Sequence, residues 1–118
     1  MKKQKEQEKP SYGDCYQANG RAILGLLPSN PVAKDAVLCH GTIYGSKIGF
    51  HGHAWLELGD VVLDYSNGQQ IVLRKEEYYK AGKIRNVERY TLKQVREQVR
   101  VHKTWGPWQR RVNGLGRT

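Results

Sequence analysis

The chain has no run of about 18 consecutive apolar residues, which excludes a conventional membrane-spanning helix. It has only two cysteines, Cys15 and Cys39, too few for a disulfide framework. With no export signal expected at the charged N-terminus, both read as free thiols of a reducing cytosol rather than as a Cys15–Cys39 bridge. No Cys-x-x-Cys pair is present. Cys39, His40, His51 and His53 could offer zinc-type ligands, but side chains at 39 and 40 point to opposite faces of a strand, so no metal and no other cofactor is expected. There is no internal repeat and no recognised RNA- or DNA-binding motif. At 118 residues the chain suffices for one domain with its own core.

Charge is present but unevenly spread. The formal net charge is +9. Residues 11–79 carry five basic and seven acidic groups, whereas residues 80–118 carry eleven basic and two acidic ones. The last third therefore suits an acidic partner, either nucleic acid or an acidic protein, or else a solvated basic surface.

The residues that carry chemistry are Cys15, His53 and Asp64. Phe50 to Tyr65 reads as a hairpin turning at Gly59-Asp60, where glycine at the first central position suits a two-residue type II′ turn. That turn sets Leu58 opposite Val61, Glu57 opposite Val62, Leu56 opposite Leu63 and Trp55 opposite Asp64. Ala54, Leu56, Leu58, Val61, Leu63 and Tyr65 then share a core face. His53, Trp55, Glu57, Val62 and Asp64 share the other, with His53 and Asp64 diagonal neighbours. A one-residue slip would separate them.

Cys15 belongs to an earlier element. Asp14 is positioned to cap a helix from Cys15 to about Leu27, with Ala18, Ala22, Ile23, Leu26 and Leu27 at helical spacing. The first turn of a helix favours an anion, and a thiol there beside a histidine is activated as thiolate. In this reading Cys15 is the nucleophile, His53 moves protons and Asp64 orients the imidazole. Trp55, Glu57 and Tyr12 are placed at the substrate. For Glu57, an arginine pair or a solvated strand carboxylate are the other readings. Cys39 reads as a strand core residue.

Cys15, the strand His53-Ala54-Trp55-Leu56-Glu57 and Asp64 resemble the papain-like and transglutaminase-like cysteine hydrolase superfamily over residues 11–70. The run from His53 to Gly68, with Glu76-Glu77-Tyr78-Tyr79 and Gly106-Pro107-Trp108 downstream, is also similar to small uncharacterised bacteriophage proteins. The first resemblance implies a papain-like minimal core and thiol acyl chemistry on a peptide or protein, by hydrolysis or transfer. The second implies a bacterial host cytoplasm. The chain departs from the papain pattern in one respect: the position of the glutamine that serves as oxyanion donor is taken by Lys9 and Pro10, with Gln7 further back. The oxyanion would then rest on backbone N–H groups at Cys15, on Tyr12 or on another group.

The remaining segments complete the expected organisation. Residues 1–10 read as a disordered basic terminus, 11–108 as a single domain and 109–118 as a flexible basic tail. A short strand is expected at Ala36–Leu38, with Ile43–Ile48 as its extension or a loop. Ser66-Asn67-Gly68 is a turn and Ile71–Leu73 a third strand of the sheet. Lys75–Ala81 reads as a short helix ended by Gly82, and Val87–Tyr90 as extended. Thr91 and Gln94 form a capping box for a helix with Leu92, Val95, Val99 and His102 on one face. Tyr78, Tyr79, Trp105 and Trp108 read as packing groups. The expected fold is α+β, an antiparallel sheet with an N-terminal helix packed on it. The alternative to a catalyst is a binding protein that uses its basic C-terminal third.

Overall fold

The computed structural model describes residues 14–26 and 34–108. Expectations for residues 1–10, Tyr12, the Pro28–Pro31 link and the tail 109–118 lie outside these residues. Among these residues three α-helices and five strands follow in order: α1 (Cys15–Leu26), β1 (Val37–Gly45), β2 (Gly49–Leu58), β3 (Val61–Asp64), β4 (Ile71–Arg74), α2 (Lys75–Gly82), β5 (Arg85–Thr91) and α3 (Leu92–His102). The sheet is antiparallel with order β4-β3-β2-β1-β5. The fold is the α+β arrangement expected, with α1 packed on β1 and β2.

The hairpin register is the one the turn dictates. Leu56 pairs with Leu63, Glu57 with Val62 and Leu58 with Val61. Gly59 has φ +61° and Asp60 stays at negative φ, as a type II′ turn requires. The side chains divide as expected, but the second face is not open to solvent. Ala54 and Leu56 pack with Cys15, Ile23, Leu38 and Val95 beneath α1 and α3. Trp55 and Val62 pack with Cys39 and Tyr78 beneath α2. The sheet is therefore the middle of three layers, because the β4-to-β5 connection carries α2 across its other face.

β1 is longer than its composition suggests. Its pairing with β2 runs unbroken through Gly41, from Val37↔Glu57 to Gly45↔Gly49, while its pairing with β5 shifts register between His40 and Thr42. Gly41 is required there, because a Cβ would lie 2.8 Å from Trp55 Cη2. α2 ends one residue later than expected. Gly82 is buried inside the helix against Ile43, and Lys83 takes the left-handed cap at φ 49°. The capping box forms on α3, with Thr91 and Gln94 each receiving the other's backbone N–H. Val95 is buried on that helix, while His102 is exposed. Trp105 packs against Gly20, and Trp108 meets the rings of His40 and Tyr90.

Candidate active site

α1 begins at Cys15, and Ala18 N–H makes the first helical bond, to Asp14 C=O at 2.7 Å. The N–H groups of Cys15, Tyr16 and Gln17 belong to the first turn, where no helical acceptor exists. The Asp14 carboxylate accepts from Asn67 N–H at 3.0 Å, so it ties α1 to the turn after β3. Cys15 is 7% exposed. It lies close enough to His53 on β2 to help raise that imidazole's pKa.

His53 Nε2 lies 3.0 Å from Asp64 Oδ2. That engagement leaves Nδ1 as the ring nitrogen for the thiol. Burial works against an imidazolium here, but the Asp64 hydrogen bond and the nearby Cys15 thiol outweigh it and raise the pKa to about 9. Of the expected trio, His53 and Asp64 are hydrogen-bonded, and Cys15 lies near enough to bear on the His53 charge.

Asp64 is nearly inaccessible yet fully satisfied. Tyr78 donates its hydroxyl to Oδ2 at 2.8 Å. Oδ1 accepts from the Ser66 backbone N–H at 2.9 Å, from the Ser66 hydroxyl and from Asn19 Nδ2 at 3.2 Å. Burial opposes its ionisation, but the bonds from His53 and Ser66 prevail and hold the carboxyl well below its usual range. Tyr78 shifts the other way: burial and the neighbouring Asp64 charge keep its hydroxyl protonated, hence a donor.

Asn19 belongs to no motif, yet it shapes the site. Continuing the β2–β3 register would pair Ala54 with Tyr65. Instead the Asn19 amide stands between them, donating to Ala54 C=O at 3.1 Å and accepting from Tyr65 N–H at 2.9 Å. A side chain from α1 thus replaces one rung of the ladder. This insertion explains why the expected Trp55–Asp64 pairing does not continue the ladder. It also brings α1 against the point where His53 and Asp64 emerge. Asn19, Ser66 and Tyr78 are the site residues that motif spacing misses. A polar residue in the fifth position of an amphipathic helix, at an apolar stripe, is the one signal that points to Asn19.

Two residues expected at the substrate lie elsewhere. Trp55 is fully buried and donates Nε1–H to Glu57 Oε2 at 3.0 Å. Glu57 also accepts from Arg89 Nε at 3.1 Å and from the Tyr79 hydroxyl, with Lys75 at 3.8 Å. These two form an internal anchor, so their placement at the substrate is corrected. Tyr12, the third, lies outside the described residues. Cys39 is wholly buried. Burial and the adjacent Glu57 push its thiol far above the ordinary range, which leaves it inert. Both cysteines are free thiols.

His40 is the odd member of the neighbourhood. It packs against the rings of Tyr16, Tyr90 and Trp108, and among the described residues neither ring nitrogen has a hydrogen-bond partner. Burial lowers its pKa to about 4, so it is neutral near pH 7. No helix among the described residues is long and apolar enough to cross a membrane. Protein-family models, curated proteins and solved structures give no match to this chain.

Proposed function

We propose that the protein is a cysteine-dependent acyl hydrolase or transferase of the peptidase or amidase type, acting on a peptide or protein substrate. The observation that carries this reading is the Cys15–His53–Asp64 chain, with its 3.0 Å His53–Asp64 bond and Cys15 at the first residue of a helix. At neutral pH a histidine with a pKa of about 9 is charged and stabilises a thiolate beside it.

The thiolate attacks an amide carbonyl carbon, and the carbonyl electrons move to oxygen. First-turn N–H groups of α1 are the donors nearest to hand for that oxyanion. As the C–N bond breaks, His53 gives its proton to the departing amine and a thioester remains on Cys15. Water, or an amine acceptor, then loses a proton to His53 as it attacks the thioester. Collapse releases acid or new amide and restores the thiolate. Asp64 stays ionised throughout and holds the imidazole in place.

Iodoacetamide alkylation at pH 6, read by mass spectrometry, tests the reading. Cys15 should react well ahead of Cys39, and His53→Ala should slow it at least tenfold. Equal labelling of the two thiols, or protection of Cys15 in the folded protein, counts against an enzyme. The competing view, a binding protein using its basic C-terminal third, would then be favoured.

A further inference from the structure

Side chains alternate along β1 and β2, so Leu38 and Tyr44 share one face of the sheet with Phe50, Ala54 and Leu56. One end of this face is covered: Leu38, Ala54 and Leu56 are buried together with residues of α1 and α3. The other end, toward the β1–β2 turn, is open. Among the described residues Tyr44 is 40% exposed and Phe50 43%. The two are direct cross-strand partners, and their rings meet edge to face with centroids 5.1 Å apart.

Cations flank the two rings. Arg85 Cζ stands 3.9 Å over the Phe50 centroid, and Lys83 Nζ lies 5.1 Å from the Tyr44 centroid. Both cations are exposed, and among the described residues neither has an ion-pair partner. Lys47 adds a third positive charge in the turn itself. Between Asp35 and Glu57 the chain has no acidic residue. The first acid of β5, Glu88, stands opposite His40, toward the covered end.

This combination narrows the occupant. Nucleobases stack on aromatic rings and on guanidinium planes, and their phosphates are matched by flanking cations. In a duplex the base faces are already stacked on one another, so a single strand is the form that fits. A lipid surface calls for several aliphatic side chains, and Ile48 is the one aliphatic residue of the turn. A second copy of the chain would set Lys47, Lys83 and Arg85 against the same three cations across a twofold axis.

We propose that the open sheet face at Tyr44 and Phe50 binds single-stranded nucleic acid, with bases stacked on the two rings and on Arg85 and phosphates held by Lys47 and Lys83. The surface is built without Cys15, His53 or Asp64, so the proposal is independent of the acyl chemistry.

The test is fluorescence anisotropy with labelled single strands of about twelve nucleotides, oligo-dT and oligo-U. Saturable binding of either at 50 mM salt is expected, and their ratio gives the preferred sugar. An abasic strand of equal length carries the same phosphates without bases and should bind at least tenfold more weakly. The double variant Tyr44→Leu, Phe50→Leu keeps apolar bulk but removes both rings. It should lose at least fivefold in affinity at an unchanged salt slope. Lys83→Gln should instead lower the slope of log affinity against log salt by about 0.7, one phosphate contact on a single strand. Absence of binding at 50 mM salt overturns the proposal. Equal affinity for the abasic strand overturns it too, since a basic tail acting by charge alone gives that result. So does full affinity in the folded double variant. Sedimentation as a dimer, or with vesicles of phosphatidylcholine and phosphatidylserine, while no strand binds assigns the face to a second copy or to lipid. The abasic comparison uses the wild-type protein, so it decides the matter even where the double variant fails to fold.

Discussion

Two carboxylates lie buried on the same face of one hairpin, and their partners differ in kind. Glu57 and Asp64 are each about 4% exposed. Each receives a hydroxyl from α2, Tyr79 for Glu57 and Tyr78 for Asp64. Glu57 is also bound to Arg89, whose charge is permanent, with Lys75 nearby. Among the described residues, Asp64 has no arginine or lysine partner. Its cationic neighbour is His53, and its other donors are neutral. A carboxylate neutralised by arginine is a fixed strut. A carboxylate whose one cation can lose its proton can support a proton transfer. The pairing chemistry, more than burial, separates scaffold from site on this face.

The strongest way to break the comparison is to remove one charge at a time. Asp64→Asn should lower turnover of an acyl substrate by about 10³–10⁴-fold, since the imidazole loses its orienting charge. It should also slow pH 6 alkylation of Cys15. Glu57→Gln should leave both within about threefold. It should instead lower stability by about 2 kcal/mol, less than a fully buried pair would lose because Arg89 and Lys75 remain partly hydrated. Denaturant melts and progress curves on both variants give the four values. If Glu57→Gln abolishes activity at unchanged stability, the assignment of strut and site is reversed.

Asn19 tests whether the site depends on the opened ladder. Asn19→Ala removes the bridge between Ala54 and Tyr65 and orphans buried backbone groups at roughly 1–3 kcal/mol each. We expect a loss of about 3 kcal/mol in a urea melt. Hydrogen exchange should rise at Tyr65 and remain unchanged at Leu63, whose amide belongs to the hydrogen-bonded Leu56–Leu63 pair of the β2–β3 ladder. Protection of Tyr65 equal to the wild type would show that the strands close without the amide.

Both carboxylates lose their contribution in acid, but only the cation beside Asp64 titrates at the alkaline end. His53 has a folded pKa of about 9 against an ordinary 6.5, so the folded state binds its proton more tightly. That stabilisation is complete below about 6.5 and is lost as pH rises through 9. At most it amounts to about 3 kcal/mol. Arg89 does not titrate in this range. Glu57 has a lowered pKa and contributes stability that is lost only as pH falls below its ordinary value. His40, depressed to about 4, adds to the same acid-side loss as pH falls from 6.5 through 4. Urea midpoints between pH 7 and 10 should therefore decline in the wild type and flatten in His53→Gln. A decline that persists in His53→Gln belongs to another group.

Much of this arrangement is legible from local rules. The Gly59-Asp60 turn sets the register of 56–58 against 61–63, and with it the faces of His53 and Asp64. Thr91 and Gln94 announce the start of α3. What cannot be read depends on where distant segments land. Nothing near Trp55 or Glu57 says that α2 crosses the sheet to bury them, so strand alternation alone leaves them facing a substrate. Gly41, Gly45 and Gly49 suggest a loop, but the segment pairs with β2 throughout, and at Gly41 the bulk of Trp55 requires glycine within the strand. Asn19 acts through Ala54 and Tyr65, more than 30 residues away, and Tyr78 through Asp64 across the sheet.

The smallest expected effect is also the cleanest, because it changes one oxygen atom at each carboxylate. Tyr78 and Tyr79 are consecutive on α2, and each phenol donates to a different acid. Tyr78→Phe takes a buried donor from an ionised carboxylate and should cost roughly 1.5–3 kcal/mol. Tyr79 is only half-buried and shares Glu57 with Arg89 and Trp55, so Tyr79→Phe should cost roughly 0.5–1 kcal/mol. The more telling difference is electrostatic. With Tyr78 gone, the Asp64 charge is shared among fewer donors and bears more strongly on His53. The imidazole titration, followed by NMR, should therefore move further up in Tyr78→Phe and stay in place in Tyr79→Phe. A shift of His53 in both variants would mean that the two carboxylates form one coupled network, and the division between strut and site would fail.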